Sequence, residues 1–289
     1  MIWFTLALMT ALASASQDSW VKHKFSGYST YEMLAFPMFY SLPLVAVAVF
    51  WLTIPPLDTT FLWCFLVSIP LNGVAFFMHM RAIQISPLSL TLPYLSFSPV
   101  FMFGTGFLFL GELPNLWGTL GVCVIVIGSY VLNINPSAYT PLAPFRSFFK
   151  EKGSMIMLVV AILYSFAAVI GKKAIIHSSV MFFTLVFFLA LNTITLLFIE
   201  ITGKGRIAKL LTKPLQGSVA GVLLFVHLIC HGWAISMTKA VYMISVKRMS
   251  ILFGVIYGGI FFSEKHLLYR IIGAGLMIAG ATIISLKGL

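Results

Sequence analysis

Charged residues are what this sequence has least of. They make up 9% of its 289 residues, against about 25% in soluble proteins, and only seven are Asp or Glu. With a mean hydropathy of +1.04, so little charge excludes a soluble domain and points to a polytopic membrane protein. Cysteine is nearly absent too. Cys64, Cys123 and Cys230 each lie in an apolar run without CxxC spacing. That excludes a disulfide framework and a zinc site, and leaves small buried hydrophobes. Also missing are GxSxG, HExxH, Walker and strand-borne GxGxxG motifs. No enzymatic chemistry, metal, cofactor or ATP hydrolysis is therefore signalled.

Long apolar runs are what the chain does have. Turn and charge signals divide them into ten candidate helices, at 2–20, 30–52, 60–82, 87–110, 116–133, 154–173, 179–201, 215–237, 240–262 and 267–286. The first, MIWFTLALMTALASAS, has the apolar core of a signal peptide but no positively charged start, and reads as a span. The net charge of +11 sits mainly in connectors, where it sets topology and meets anionic lipid; no nucleic acid partner is implied. Residues 134–153, INPSAYTPLAPFRSFFKEKG, form the longest connector, broken by three prolines and basic at its end. This divides the chain into a first five-helix half at 1–135, a connector at 136–153 and a second half at 154–289.

A repeat supports the division. Shifting by 152 residues lays His79, Ala82 and Ile83 on His231, Ala234 and Ile235, and Ser98, Gly106, Phe109 and Glu112 on Ser250, Gly258, Phe261 and Glu264. Both copies continue in one register through E-x8-G-x6-G, with Gly121 and Gly128 on Gly273 and Gly280. An odd number of helices per half makes the halves inverted, a common design for alternating access. The expected fold is all-α and membrane-embedded: ten transmembrane helices as two inverted five-helix repeats.

These residues carry a resemblance to the ten-helix EamA-like branch of the drug/metabolite transporter superfamily. Each half ends in a span, a turn holding Glu112 or Glu264, and a glycine-spaced span. Pro99, thirteen residues before Glu112, fits the family's usual proline, whereas the second half has Ile251. The resemblance implies a transporter, not an enzyme, and leaves the substrate open. A phosphate-exchanging plastid branch of the superfamily places Lys-Arg on the ninth helix, which Lys247-Arg248 resembles. Its partner Lys on the fourth helix and Tyr on the eighth are missing here. His227 and His231 stand on the eighth instead, so an anionic group is implied more than an organic phosphate.

Lys247 and Arg248 interrupt the apolar run from Ala240 to Phe262. A charge inside the hydrocarbon costs about 2.5–3.5 kcal/mol or more, so the pair either faces a cavity or anchors in headgroups at a helix start. Adjacent residues point about 100° apart on a helix, so both cannot meet one spot. His227 and His231 share a face, and His79, with Asn72 seven residues earlier, is the repeat mate of His231. These positions suit substrate hydrogen bonding, proton transfer or interhelical packing. Asp18 is a proton-coupling candidate or simply starts the loop after the first helix. Glu112 and Glu264 read as structural groups in tight turns, Lys172 and Lys173 as snorkelling cations, and Gly217, Gly221, Gly254 and Gly258 as close-packing positions.

The leading expectation is a secondary, non-ATP transporter of a small polar, anionic metabolite, working by alternating access in a bacterial inner membrane. An exporter of amino acids or amphipathic drugs is the alternative, with Tyr94, Phe101 and Trp233 lining its cavity. A lipid-handling enzyme ranks below both. One chain supplies both halves, so a monomer or a homodimer fits. Odd-numbered connectors hold twelve Lys and Arg and the opposite side four, with Lys247 and Arg248 set aside. Positive-inside then places both termini outside, while the resemblance implies both in the cytoplasm.

Overall fold

Several helices begin at a capping residue, and two of the expected spans are interrupted midway. The computed structural model describes residues 2–132, 151–262 and 267–288. Those residues form helices and no strand. α1 runs Ile2–Phe25, α2 Thr30–Phe50 and α3 Thr59–Ile85. α2 begins at a capping box, in which Ser29 Oγ accepts from Glu32 N while Glu32 accepts from Ser29 N. Asp58 caps α3 by accepting from Phe61 N. α1 runs past its expected end at 20, which carries Asp18 inside the helix.

The fourth expected span is three pieces: α4, Leu88–Thr91; a 3-10 turn, Leu92–Phe97; and α5, Ser98–Leu110. Pro93 and Pro99 lack the N–H that a continuous ladder needs, and each sits at the start of its segment. α5 ends at Gly111, whose φ of 66° is left-handed and suits a residue with no Cβ. α6 is Leu116–Leu132, α7 Lys152–Ile176, α8 Val180–Ile201 and α9 Pro214–Ser236. The ninth expected span is likewise split, into α10, Ala240–Lys247, and α11, Ser250–Phe262. Its break holds neither Pro nor Gly. Arg248 N donates to Ser245 O and Met249 N to Val246 O, the tight bonds of a 3-10 turn ending α10. α12, Leu267–Lys287, closes the described chain.

Six segments are long and apolar enough to cross a membrane by length and composition: α2, α3, Leu92–Leu110, α7, α8 and α9. Leu116–Val131 and Ile272–Lys287 are shorter apolar helices. The sequence expectation of ten is therefore met by six on this criterion among the described residues.

Packing crosses between the halves. α1 lies chiefly on α9, α3 on α7, and α6 on α12. The α6–α12 contact is a backbone approach. A Cβ on Gly121 would stand 2.8 Å from Gly280 O, and one on Gly128 2.8 Å from Gly273 O. α9 meets α2 the same way, with Tyr40 laid over Gly217 and Gly221 and its hydroxyl donating to Leu210 O at 2.9 Å.

Candidate functional site

The two helix breaks and the cross-half packing surround a cavity of about 140 Å³, walled by α1, α2, α3, α7, α8, α9 and the end of α10. Asp18, Asn72, His79, His227, His231, Lys247 and Arg248 all line it. These positions spread over 230 residues of sequence, and the fold brings them to one place. Tyr94 is not part of the wall. The 3-10 turn rotates it away, so that it stacks near Phe97 and hydrogen-bonds Ser154 at the start of α7. Phe101 and Trp233 are outside the wall as well; Trp233 is 39% exposed, with its indole N–H 3.2 Å from Met181 Sδ. The aromatic lining comes from Phe76, Tyr164, Phe183, Phe187 and Phe188.

Lys247 and Arg248 straddle the break between α10 and α11 and point to different partners. Lys247 Nζ lies 3.0 Å from His227 Nε2 and 3.4 Å from His231 Nδ1. An ammonium only donates, so each of those ring nitrogens accepts and each ring carries its proton on the other nitrogen. His227 Nδ1 is then a donor, and it has no hydrogen-bond partner in the protein. Arg248 is 3% exposed and donates through Nε and Nη2 to Ser98 Oγ at 3.0 and 2.7 Å. Ser98 opens α5, immediately before Pro99, so the break in one half receives the cation at the break in the other. A helix does begin beside Met249, at Ser250, but both cations line the cavity and Arg248 is buried. Among the described residues no carboxylate lies within 4 Å of either cation.

A second polar group of the wall is amphoteric. His79 Nε2 lies 3.2 Å from Asp18 Oδ2, too poorly aimed for a hydrogen bond, and His79 Nδ1 lies 3.3 Å from Tyr164 OH. His79 and Asp18 are both 6% exposed. Repeat mates thus serve different neighbours: His79 faces a carboxylate, His231 an ammonium. Asn72 spends one amide proton on Ser68 O at 2.9 Å, and Gln17 Oε1, in the same wall, has no partner.

One end of the cavity is closed by Lys172. It is buried, not snorkelling, and its ammonium pairs with Glu112 and donates to Thr238 O at 2.6 Å. The other Glu112 oxygen accepts from Ala240 N at 2.8 Å. Glu112 therefore caps α10 of the other half, a different helix from the neighbouring α6 to which the sequence assigns it. At the far end Lys22 donates to Ile83 O and Ser86 O at 2.7 and 2.6 Å. Ser86 and Thr238 are 152 residues apart and Lys22 and Lys172 are 150 apart, so two similar lysine-to-carbonyl contacts stand at opposite ends.

Sequence reasoning missed Tyr164, Lys172 and Ser98. Ser98 did carry a signal, the repeat match to Ser250. Tyr164 offered one only as the single phenol in the sixth apolar run. Glu264, assigned with Glu112 from sequence, lies outside the described residues.

Residues 1–134 match the EamA-like transporter family model. No curated protein matches the sequence. Among solved structures, a crystal structure of a protein superposes with a TM-score of 0.65 at 14% identity, covering 99% of this chain and 96% of that one. At such identity the likeness speaks for the fold alone.

Proposed function

We propose that the chain, a multi-pass membrane protein whose residues 1–134 match the EamA-like transporter family of the drug/metabolite transporter superfamily, is a transporter of that kind and moves a small anionic metabolite by alternating access without ATP. The observation that carries this reading is the donor-rich wall. Arg248 is buried and Lys247 half-buried, with no carboxylate of the described residues within 4 Å of either, beside an unpartnered donor on His227. A desolvated cation costs several kcal/mol unless an opposite charge compensates it, and a bound anion is that compensation. Arg248 would fork onto a carboxylate or phosphate, Lys247 would act as a point charge, and His231 would hold Lys247 in place.

The ten-span, inverted-repeat reading belongs here too, with spans four and nine each made of broken pieces. It is supported by the packing: exchanging spans one to five with six to ten turns the α1–α9 contact into α7–α3 and returns the α6–α12 contact to itself. In this reading the Lys172 and Lys22 contacts alternate as the closed end, and the breaks near Pro93 and Arg248 absorb the rocking. One chain forms the whole cavity, so a monomer suffices, in the inner membrane of a bacterium.

The test is uptake into proteoliposomes against a panel of small anions. Lys247→Ala and Arg248→Ala should each abolish transport while membrane insertion and thermal stability persist. Removing one partner of a buried charged contact costs about 2–5 kcal/mol, a loss of roughly 30-fold or more in apparent affinity. Full transport by both variants would defeat the anion reading. A second reading, export of amino acids or amphipathic drugs, draws on Phe76, Phe183, Phe187 and Phe188 in the wall. Thermal stabilisation by apolar cations but not by anions would favour it.

A further inference from the structure

Away from the cavity, the end of the bundle that carries Lys22 holds a second recess, formed where the α1–α2 connector meets the α8–α9 connector. We propose that this recess binds the phosphate of an anionic membrane phospholipid. Gly27, Tyr28, Ser29 and Glu32 form one side, and Gly203, Lys204, Gly205, Arg206 and Lys209 the other. Three cations stand against one carboxylate. Glu32 is buried, with one oxygen 2.8 Å from Lys209 Nζ and the other accepting from Ser29 N at 3.1 Å. Its charge is spent on Lys209 and the helix cap. Lys204 and Arg206 are exposed, and no carboxylate of the described residues lies within 4 Å of either.

The walls suit an oxyanion. Space is open around Gly27 and Gly203, where an added Cβ would meet nothing within 4 Å, so a headgroup can approach the backbone. Lys204 Nζ is held 5.4 Å from the Tyr31 ring centre and 5.2 Å from that of Phe198, which fixes the ammonium at the rim. Arg206 supplies a planar fork.

The surroundings specify a lipid over a free ion. α8 and α9 are both apolar enough to span, and the recess lies where one ends and the other begins. Phe198 and Ile201 at the end of α8, and Leu211 and Leu215 beside Lys209 and Lys213, are exposed large hydrophobics, Ile201 by 81%. A phosphate seated between Lys204 and Arg206 would therefore have acyl-chain surface directly below it, as basic pockets beside spanning helices do for anionic headgroups.

The purified full chain in nanodiscs tests this. In discs containing phosphatidylglycerol, the wild type should retain that lipid in native mass spectrometry and melt at a higher temperature than in pure phosphatidylcholine. The Lys204→Gln/Arg206→Gln double variant should lose both effects, and Lys204→Arg/Arg206→Lys should keep them. Lys24→Gln/Lys152→Gln, which removes two basic charges from the same end but outside the recess, should behave as wild type. Equal losses in the two Gln variants would reduce the effect to diffuse attraction and overturn the proposal. So would equal stabilisation by inorganic phosphate in phosphatidylcholine discs, or failure of the Arg/Lys exchange to retain the lipid. Transport of the cavity's substrate is not part of this readout, so the two readings fail separately.

Discussion

Residue by residue, the cavity is lined by the carboxylate of Asp18 as well as by Lys247 and Arg248. The Asp18–His79–Tyr164 group can hold one exchangeable proton in a buried place, which is what coupling to a proton gradient needs. Asp18→Asn keeps the volume and removes the charge. It should abolish uptake driven by a pH gradient while anion exchange at equal pH continues; accumulation still driven by the gradient would exclude Asp18 as the coupling group. Legibility at this scale was uneven. The repeat exposed His79 and His231 as mates, and burial of charge in an apolar run flagged Lys247 and Arg248. Tyr94, Phe101 and Trp233 lie outside the cavity wall, and for Tyr94 the turn at Leu92–Phe97 changes which side the residue presents.

Among the elements, the Lys172–Glu112 contact ties α7 to the α5–α6 connector and to the first N–H of α10. Breaking it strands a buried charge, so Glu112→Gln or Lys172→Met should loosen that end of the cavity. A cysteine placed at Ile175 or Ile235, both buried wall positions, should then react faster with a water-soluble maleimide than in the parent chain. Unchanged labelling would leave the contact a structural cap and no more. The α6–α12 crossing makes a stability prediction. Gly121→Ala would press its methyl against Gly280 O, and overpacking of this kind costs about 1–3 kcal/mol. Thermal unfolding in detergent should show a lowered midpoint, while Gly104→Ala, with nothing within 4 Å, should not.

For the whole molecule, the halves named by the repeat are not independent bodies. α1 finds its main partner in α9 and α3 in α7, so each half leaves its own apolar faces uncovered by its own chain. Residues 1–134, although they match a family model alone, should therefore be degraded when expressed alone. They should be rescued by co-expression of residues 151–289, with transport recovered from the two pieces. A stable, monodisperse first half would contradict the cross-half packing.

Composition and apolar run length settled that the chain lives in a bilayer and is helical, because a continuous apolar run of about 20 residues crosses hydrocarbon with its backbone paired within itself, whereas barrel strands are shorter and alternate. The repeat register suggested which residues correspond. Neither could assign partners. That Lys247 meets two imidazoles, that Arg248 reaches Ser98, and that Glu112 caps a helix of the opposite half are facts about which helices touch. Contacts between residues 16 to 150 apart depend on packing within and across the halves and on two helix breaks, one of them without Pro or Gly to announce it. The sequence determined the solvent and the repeat; only the tertiary structure decided which charges face the cavity and which hold it shut.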